Sequence, residues 1–318
     1  MKYSIITPVY NREDSIGRCI DSVIKQLNND VEIEHVIVDD GSRDRTAEIV
    51  KEYTSKYNHI NFIQFPENRG TNAGRNAAIK AAKGEYCIIL DSDDYFVDDA
   101  ISTIDSNINS HPGYKHYMFA ADDTLKYYAK MDLLKGQQEK ELTFKDFLRD
   151  EVYGDFIHVM NTQVIRKYPF DEYLRIYEGV FFLRFYKEER RMMFINKVVA
   201  IRERSRTDSV SREYFKKSKE VIKRSVYGFE VRMKWFESDY LTLARERLQK
   251  YYTKYFDDLL RLGEYDKFKK QAIHARELGL TVPSVLNLLC SIKAGKFYYL
   301  LWKSYYVLRY DILKMKLG

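Results

Sequence analysis

Roughly the first 110 residues alternate between short apolar runs and longer segments with helical periodicity. Four runs rich in strand-forming residues read YSIITPVYN, VEIEHVIVDDGS, INFIQFPEN and EYCIILDSDD. Between them, apolar residues recur three and four positions apart, as in REDSIGRCIDSVIKQL, which is typical of amphipathic helices. Strands that alternate with helices form parallel pairs joined by right-handed crossovers. The sequence therefore predicts an α/β fold with a mostly parallel sheet flanked by helices.

Polar residues follow three of the four predicted strands. They are Tyr10 and Asn11 after the first strand, Asp39 and Asp40 after the second, and Asp91 and Asp93 after the fourth. Ligands of such sheets bind beyond the carboxyl ends of the strands. We therefore expect these side chains to converge on one edge of the sheet.

The fourth run ends in DSDD, which places three carboxylates within four residues. If this segment is extended, Asp91 and Asp93 point the same way, because side chains repeat every second residue. Mg²⁺ and Mn²⁺ take one or two protein carboxylates together with substrate phosphates. Asp is also common in turns and helix caps, an alternative that these four residues alone leave open.

Four blocks in this order, TPVYN, IVDDGSRDRT, ENRGTNAGRNAAI and GEYCIILDSDD, resemble the nucleotide-sugar-binding half of family 2 glycosyltransferases, which have the GT-A fold. The resemblance covers residues 2–110 strongly and 160–211 weakly. It implies an inverting transferase of surface polysaccharide biosynthesis. The implied donor is a nucleotide-sugar with UDP as the expected nucleotide, and the implied acceptor is a saccharide or lipid-linked saccharide. The Gln-x-x-Arg-Trp element of processive members is absent from the sequence, which favours transfer of a single sugar.

The resemblance also implies roles for individual residues. The implied donor-binding residues are Thr7, Pro8, Tyr10, Asp39, Asp40, Arg75, Asp91 and Ser92. The first three lie where the family packs the nucleoside, one of the two adjacent aspartates lies where a carboxylate binds the base, and the arginine approaches the diphosphate. Asp93, with Asp91, matches the ligands of a Mn²⁺ or Mg²⁺ cofactor.

The catalytic base of the family is usually an Asp in a Glu-Asp pair that opens a helix. Here LRIYEGVFFLRFYK has Glu178 followed by Gly179, so Glu178 is the predicted base. The alternative base is Asp171 or Glu172 of FDEYL. A purely structural role for Glu178, as an acid stabilised by the helix dipole, is also open.

Three arginines alternate in AIRERSRTDSVSR, at Arg202, Arg204 and Arg206. On one face of a strand, they could contact phosphates of the donor or the acceptor. A charged strand edge that is merely solvated is the other interpretation.

The last third of the chain has a different character. We expect a GT-A domain over residues 1–211 and a helical, basic and aromatic accessory domain over 212–318, which holds 23 Lys+Arg against 12 Asp+Glu. Residues 292–318 interleave large apolar residues with lysines, a composition that fits a helix on an anionic membrane surface. In the alternative, Trp302, Tyr305 and Leu308 pack internally or against another subunit of a homo-oligomer.

Further features bear on location and on rival functions. The three cysteines are too dispersed for a disulfide framework or a metal cluster, no apolar run reaches about 20 residues, and MKYSIITPVYN does not resemble a signal peptide. We therefore expect a cytoplasmic protein, with attachment at the inner membrane face as a further expectation. Nucleic acid is not an expected partner, because acidic strand ends repel phosphate backbones. Rival functions are a degenerate nucleotide-sugar-binding module and a metal-dependent nucleotidyltransferase.

Overall fold

The computed structural model describes residues 2–27, 31–174, 177–203, 218–306 and 308. The chain forms two compact units, residues 1–207 and 208–318. The strands of the first unit are β1 (Tyr3–Val9), β2 (Ile33–Asp39), β3 (Ile60–Gln64), β4 (Tyr86–Ile89), β5 (Tyr95–Phe96), β6 (His116–Ala121), β7 (Glu139–Thr143), β8 (Ile157–Asn161) and β9 (Arg191–Ile201). Its helices are α1 (Ile16–Ile24), α2 (Thr46–Thr54), α3 (Thr71–Ala81), α4 (Ala100–Ser110), α5 (Leu125–Tyr128), α6 (Phe144–Leu148), α7 (Thr162–Ile165) and α8 (Gly179–Glu189).

All nine strands belong to one sheet, in the order β3-β2-β1-β4-β8-β6-β9-β5, with β7 paired to β9. The strands β3, β2, β1 and β4 are parallel, as the alternating pattern predicts. Beyond β4 the sheet becomes mixed, because β8 runs antiparallel to both β4 and β6 while β6 and β9 are parallel. The predicted α/β architecture is confirmed.

The central strands are apolar because both faces of the sheet are covered. All seven residues of β1 and all seven of β2 are buried, as expected for parallel strands between two layers of helices. On one face, α1 buries Ile16, Cys19 and Val23, which recur at helical spacing. Helix α3 approaches β1 closely at Gly74. A Cβ atom added to Gly74 would lie 3.1 Å from Pro8 Cβ of β1, so glycine permits this approach.

The regular elements described in the second unit are all helices. Its helices are α9 (Lys219–Leu243), α10 (Arg245–Leu262), α11 (Tyr265–Glu277), α12 (Ser284–Ser291) and α13 (Gly295–Tyr306). The side chain of Ser218 caps the start of α9 by accepting from Val221 N, and Gly263 ends α10 with a φ of 78°. The predicted C-terminal helical region is confirmed. Of the helices that the structure describes, none combines the length and the apolar character needed to cross a membrane.

Candidate active site

The carboxyl ends of β1, β2 and β4 meet at one edge of the sheet. Asp40 N donates to Val9 O at 2.8 Å, which joins the ends of β2 and β1. Asn11 N donates to Ser42 Oγ at 2.9 Å across the same two loops. Because β4 pairs with β1, its following residues lie beside them, and Arg12 Nε is 3.9 Å from Asp93 Oδ2. The expected convergence of these strand ends is confirmed.

Residues 91–94 form a turn in which Asp94 N donates to Asp91 O at 3.0 Å. The expectation that Asp91 and Asp93 lie on an extended segment is therefore wrong, because β4 ends at Ile89. Asp and Ser favour turns, and this one is anchored from α1, where Ser15 Oγ donates to Ser92 O at 3.1 Å. The turn nevertheless gathers three carboxylates at the edge of the sheet.

The third carboxylate of this turn is buried. Burial and the neighbouring charges of Asp91 and Asp93 raise the pKa of Asp94 to about 8. Its Oδ1 accepts from Glu203 N at 3.1 Å, and Arg202 Nε lies 3.8 Å from its Oδ2. Asp94 therefore joins the turn to the residues that follow β9, whereas Asp91 and Asp93 remain partly exposed.

Arg75 on α3 connects this turn to the start of α8. Its Nη2 lies 3.1 Å from Asp91 Oδ1, and its Nη1 lies 3.5 Å from Glu178 Oε1. The guanidinium also lies over the ring of Phe170, with its centre 5.5 Å from the ring centroid. Arg75 Nε is buried and has no hydrogen-bond partner among the described residues.

Helix α3 also positions the segment that leads to Glu178. Asn76 Nδ2 donates to Phe170 O at 2.9 Å, while Phe170 N donates to Asn76 Oδ1 at 2.8 Å. One turn earlier, Asn72 Nδ2 donates to Asp171 O at 2.9 Å. These amides fix residues 170–171 against the helix that carries Arg75.

The two alternative bases lie in this same segment. Asp171 Oδ1 accepts from Tyr173 N at 3.0 Å, as in a local turn. Glu172 Oε2 lies 3.3 Å from Arg69 Nη2, and both side chains are nearly half exposed. Glu178 differs from both, because Arg75 joins it to Asp91.

A cleft of about 490 Å³ lies beside the ends of β1, β2 and β3. It is lined by Tyr10, Gly41, Ser42, Arg43, Gln64, Phe65, Pro66, Glu67 and Asn68. Tyr10, which the resemblance assigns to the nucleoside, lies on one wall with its ring partly exposed. The size and the mixture of aromatic and amide groups suit a planar heterocycle.

Asp39 and Asp40 are both buried behind this cleft but have different partners. Asp40 Oδ1 accepts from Arg69 N at 2.7 Å and its Oδ2 accepts from Gly70 N at 2.8 Å, so it holds the loop before α3. Asp39 Oδ1 accepts from Ser42 N at 3.1 Å. Its Oδ2 accepts from Gln64 Nε2 at 3.2 Å, so Asp39 orients two residues of the cleft wall.

The remaining implied donor-binding residues lie in the interior. Thr7 is fully buried, with Oγ1 2.9 Å from His35 Nε2, and Pro8 is covered by α3. The Ser92 side chain is buried within the turn. These three residues support the edge of the sheet from the protein interior. The structure does not place their side chains in the cleft.

Of the three alternating arginines, the structure describes Arg202, which does not lie on a strand. Strand β9 ends at Ile201, so Arg202 lies beyond it, and Arg204 and Arg206 fall outside the described residues. Arg202 is mostly buried, with Nη1 3.3 Å from Asp155 Oδ2. The prediction that Arg202 lies on a strand face is therefore wrong. The contacts of Arg202 instead join Asp94 to Asp155.

The turn fits a divalent cation that is completed by its ligand. Asp91 and Asp93 supply carboxylate oxygens, the donor atoms that Mn²⁺ and Mg²⁺ prefer. Within the part of the chain that the structure describes, no three acidic, histidine or cysteine side chains form a complete ion cage. Two carboxylates are the number that such ions take when a phosphate supplies further oxygens.

The sequence pattern did not identify Gln64 or Ser42 as site residues. Gln64 is the last residue of β3, so the rule that singled out the other strand ends applies to it too. The contribution of residues 65–68 depends on the path of a loop, and periodicity carries no information about that path.

Sequence comparison identifies relatives over the first part of the chain. The family described as "Glycosyl transferase family 2" matches residues 4–170. A poly(ribitol-phosphate) beta-glucosyltransferase of Bacillus spizizenii is 44% identical over 102 residues, 32% of this chain and 16% of that protein. A GalNAc(5)-diNAcBac-PP-undecaprenol beta-1,3-glucosyltransferase of Campylobacter jejuni is 28% identical over 66% of this chain and 67% of that protein. In three relatives of 39–44% identity, the matched stretch spans only 14–26% of their length.

Solved structures share the fold at low identity. TarS of Staphylococcus aureus, residues 1–349 in complex with UDP-GlcNAc, superposes with a TM-score of 0.60 at 18% identity and covers 96% of this chain and 91% of that one. A mannosyltransferase of Pyrobaculum calidifontis, in complex with GDP-Man and Mn²⁺, gives 0.55 at 14% identity, over 96% of this chain and 85% of that one. The predicted GT-A fold is confirmed, and the family match over more than half of the residues shows that this chain belongs to glycosyltransferase family 2.

Proposed function

We propose that this chain is an inverting glycosyltransferase that moves one sugar from a UDP-sugar to a saccharide or lipid-linked saccharide acceptor in surface polysaccharide biosynthesis. The observation that carries the proposal is the position of Arg75 between Asp91 and Glu178. This arginine links the residues proposed for the donor diphosphate to the residue proposed as base. A site of this kind needs these two functions within the length of one sugar.

The donor would occupy the edge of the sheet. The nucleobase would lie in the cleft against Tyr10. Its polar contacts would be Ser42 and Gln64, which Asp39 holds in place. UDP is proposed because TarS, with the same fold, has been solved with UDP and with UDP-GlcNAc. The mannosyltransferase with GDP-Man makes GDP-sugars the alternative donors to test.

Asp91 and Asp93 would hold Mn²⁺ or Mg²⁺. When bound, the ion would neutralise negative charge on the diphosphate as it leaves the sugar. Arg75 would add positive charge beside the same diphosphate, because a guanidinium suits the geometry of phosphate oxygens.

Glu178 would act as the general base. The acceptor hydroxyl oxygen forms a bond to the anomeric carbon, the bond from that carbon to the phosphate oxygen breaks, and the hydroxyl proton passes to the carboxylate. Attack opposite the departing phosphate inverts the anomeric centre. Glu178 is the N-cap residue of α8, and its side chain is partly exposed.

The acceptor is proposed from chemistry that relatives share. The Campylobacter relative is named for an undecaprenol-linked saccharide acceptor, and the Bacillus relative for poly(ribitol phosphate). We propose that residues 1–211 perform the transfer and that residues 212–318 are accessory. A cytoplasmic location, a membrane surface contacted through residues 292–318, and a homo-oligomer likewise remain predictions.

The test is a screen of UDP-, GDP- and dTDP-sugars for metal-dependent release of nucleoside diphosphate with mono- and disaccharide or lipid-linked acceptors. Glu178→Gln should keep donor binding by calorimetry and lose transfer, because the amide cannot accept the proton. Glu172→Gln is the matched control and should keep transfer. Loss of transfer in the control alone would move the base to Glu172.

The screen also separates the rival functions. A degenerate binding module would bind UDP with Mn²⁺ and release no product from any sugar nucleotide. A nucleotidyltransferase would move the nucleotide and not the sugar, so it would release a sugar phosphate from the sugar nucleotide instead of a nucleoside diphosphate. Either result would contradict the proposed transfer.

A further inference from the structure

The second unit exposes apolar side chains along two consecutive helices. Six aliphatic or phenylalanine side chains lie on α12, on α13 and at the junction between these helices, and each is more than half exposed. They are Val285, Leu288, Ile292, Phe297, Leu300 and Leu301, and we call them the α12–α13 face. Exposed large apolar residues are scattered singly in the rest of this unit, so this concentration calls for a partner.

The face is the outer side of helices whose inner sides are already packed. On α12, Leu286 and Cys290 are buried, while Val285 and Leu288, with Ile292 just beyond the helix, recur at helical spacing on the opposite side. The exposed apolar stripe is therefore not the side that builds the core of this unit.

Helix α13 is anchored in the same way. Tyr298 OH donates to Asp257 Oδ1 on α10 at 2.6 Å, and the Arg261 guanidinium lies 4.3 Å from the centroid of the Trp302 ring. At its start, Gly295 N donates to Tyr265 OH at 2.9 Å. These contacts fix the rotation of α13, so Phe297, Leu300 and Leu301 are held outward.

The segment that forms the face carries charge of one sign. Residues 278–310 contain no Asp or Glu, whereas Lys293, Lys296 and Lys303 lie among the apolar residues. Lys296 and Lys303 are seven positions apart and therefore flank the apolar stripe of α13 on one side. Long lysine side chains beside an apolar face place their ammonium groups at the level of lipid headgroups.

We infer that the α12–α13 face binds the surface of an anionic lipid bilayer, with its apolar side chains inserted below the headgroups and its lysines against lipid phosphates. The inference deepens the proposed function, because a lipid-linked acceptor would be met at such a surface. It also extends the predicted contact region, 292–318, back to Val285 and assigns the contact to particular side chains. A second copy of the chain fits less well, because a two-fold interface brings the lysines of each copy together with no acid in residues 278–310 to pair with them.

The experiment is flotation of the full chain with vesicles of phosphatidylcholine alone and of phosphatidylcholine mixed with phosphatidylglycerol. The wild-type chain should float with the anionic vesicles and should be released by salt. Leu300→Glu with Leu301→Glu should abolish flotation. Ile273→Glu is the matched control, since Ile273 is an equally exposed apolar residue on α11. It should float like the wild type, and circular dichroism should show both variants folded.

The lysines provide a second and gentler variant. Lys296→Gln with Lys303→Gln should lower the partition coefficient on anionic vesicles about 25-fold, from roughly fivefold for each basic side chain near the surface. Lys250→Gln with Lys270→Gln, two exposed lysines of α10 and α11, should leave the partition coefficient unchanged.

Several results would overturn the inference. They are a wild-type chain that does not float, Leu300→Glu/Leu301→Glu chains that float normally, and a wild-type dimer that these substitutions convert to monomers without any lipid binding. Transfer to a water-soluble acceptor separates the two proposals. Transfer without flotation contradicts the lipid face alone, and flotation without transfer by any sugar nucleotide contradicts the proposed function alone.

Discussion

Arg75 Nη1 lies 3.5 Å from Glu178 Oε1. The same guanidinium lies 3.1 Å from Asp91 through its other terminal nitrogen, so one side chain spans the distance between two carboxylates on different elements. The planar guanidinium of an arginine can make both contacts at once, whereas the ammonium of a lysine is a single point charge. The separation between the proposed donor site and the proposed base is therefore set by α3, which carries the arginine.

Arg75→Lys should lower kcat/KM for the donor roughly 10- to 100-fold, because a charged hydrogen bond contributes about 1.5–3 kcal/mol. Steady-state kinetics with varied donor would measure the change. Arg45→Lys is the matched control, since Arg45 forms a surface ion pair with Glu48 in which both side chains are exposed. An unchanged kcat/KM in Arg75→Lys would remove this arginine from the site.

Asp40→Asn should destabilise the chain by about 1–3 kcal/mol, because the amide can accept from only one of the two backbone N–H groups that the carboxylate binds. Donor affinity should fall with stability, since this loop leads into the helix of Arg75. Urea denaturation and calorimetry would measure the two effects. Asp98→Asn, at an exposed position, should change neither, and full stability of Asp40→Asn would show that the loop does not depend on this contact.

How far the sequence predicts this fold depends on the range of the interactions involved. Alternating strands and helices identify β1 to β4 because each crossover is local. The pairing of β6 with β9 joins residues about 75 positions apart and leaves no periodic signal, so the mixed half of the sheet is not predictable in this way.

The candidate site shows the same division. Strand-end polarity predicts the edge where Asp91 and Asp93 meet the other loops. The resemblance assigns Thr7 to the donor site as well. Its hydroxyl nevertheless lies against His35 inside the sheet, because side-chain direction alternates along a strand. The loop-holding role of Asp40 depends on where residues 69–70 run, which only the tertiary structure determines.

Removal of divalent cations should abolish transfer, and Mn²⁺ or Mg²⁺ should restore it, because Asp91 and Asp93 are proposed to hold the ion beside the diphosphate. Asp93→Asn keeps a turn-forming residue but loses a charge. It should raise the Mn²⁺ concentration for half-maximal activity at least about tenfold, because even the loss of a residue that only supports a ligand has an effect of that size. Full activity in the presence of EDTA would contradict the metal proposal.

Stability should depend on pH through buried histidines. Burial lowers the pKa of His35 to about 3, and burial with Arg202 and Arg75 lowers the pKa of His158 to about 3. Below about pH 6.5 the unfolded chain binds these protons and the folded chain does not, so the free energy of unfolding falls by about 1.4 kcal/mol per pH unit for each histidine. Asp94, with a folded pKa of about 8, acts in the opposite sense between its unfolded value and that pH.

His158→Gln should therefore reduce the slope of the unfolding free energy between pH 6 and pH 5 by about 1.4 kcal/mol per unit. Urea denaturation at closely spaced pH values would measure both slopes. Identical slopes in the wild-type and variant chains would mean that His158 carries a proton in the folded state.

The most direct test of the donor site is anomalous diffraction from crystals soaked with UDP and MnCl₂. We expect a manganese peak beside the carboxylates of Asp91 and Asp93, with the uracil ring against Tyr10 in the cleft. A manganese peak and nucleotide density elsewhere on the molecule, with these carboxylates unbound, would contradict the proposed donor site.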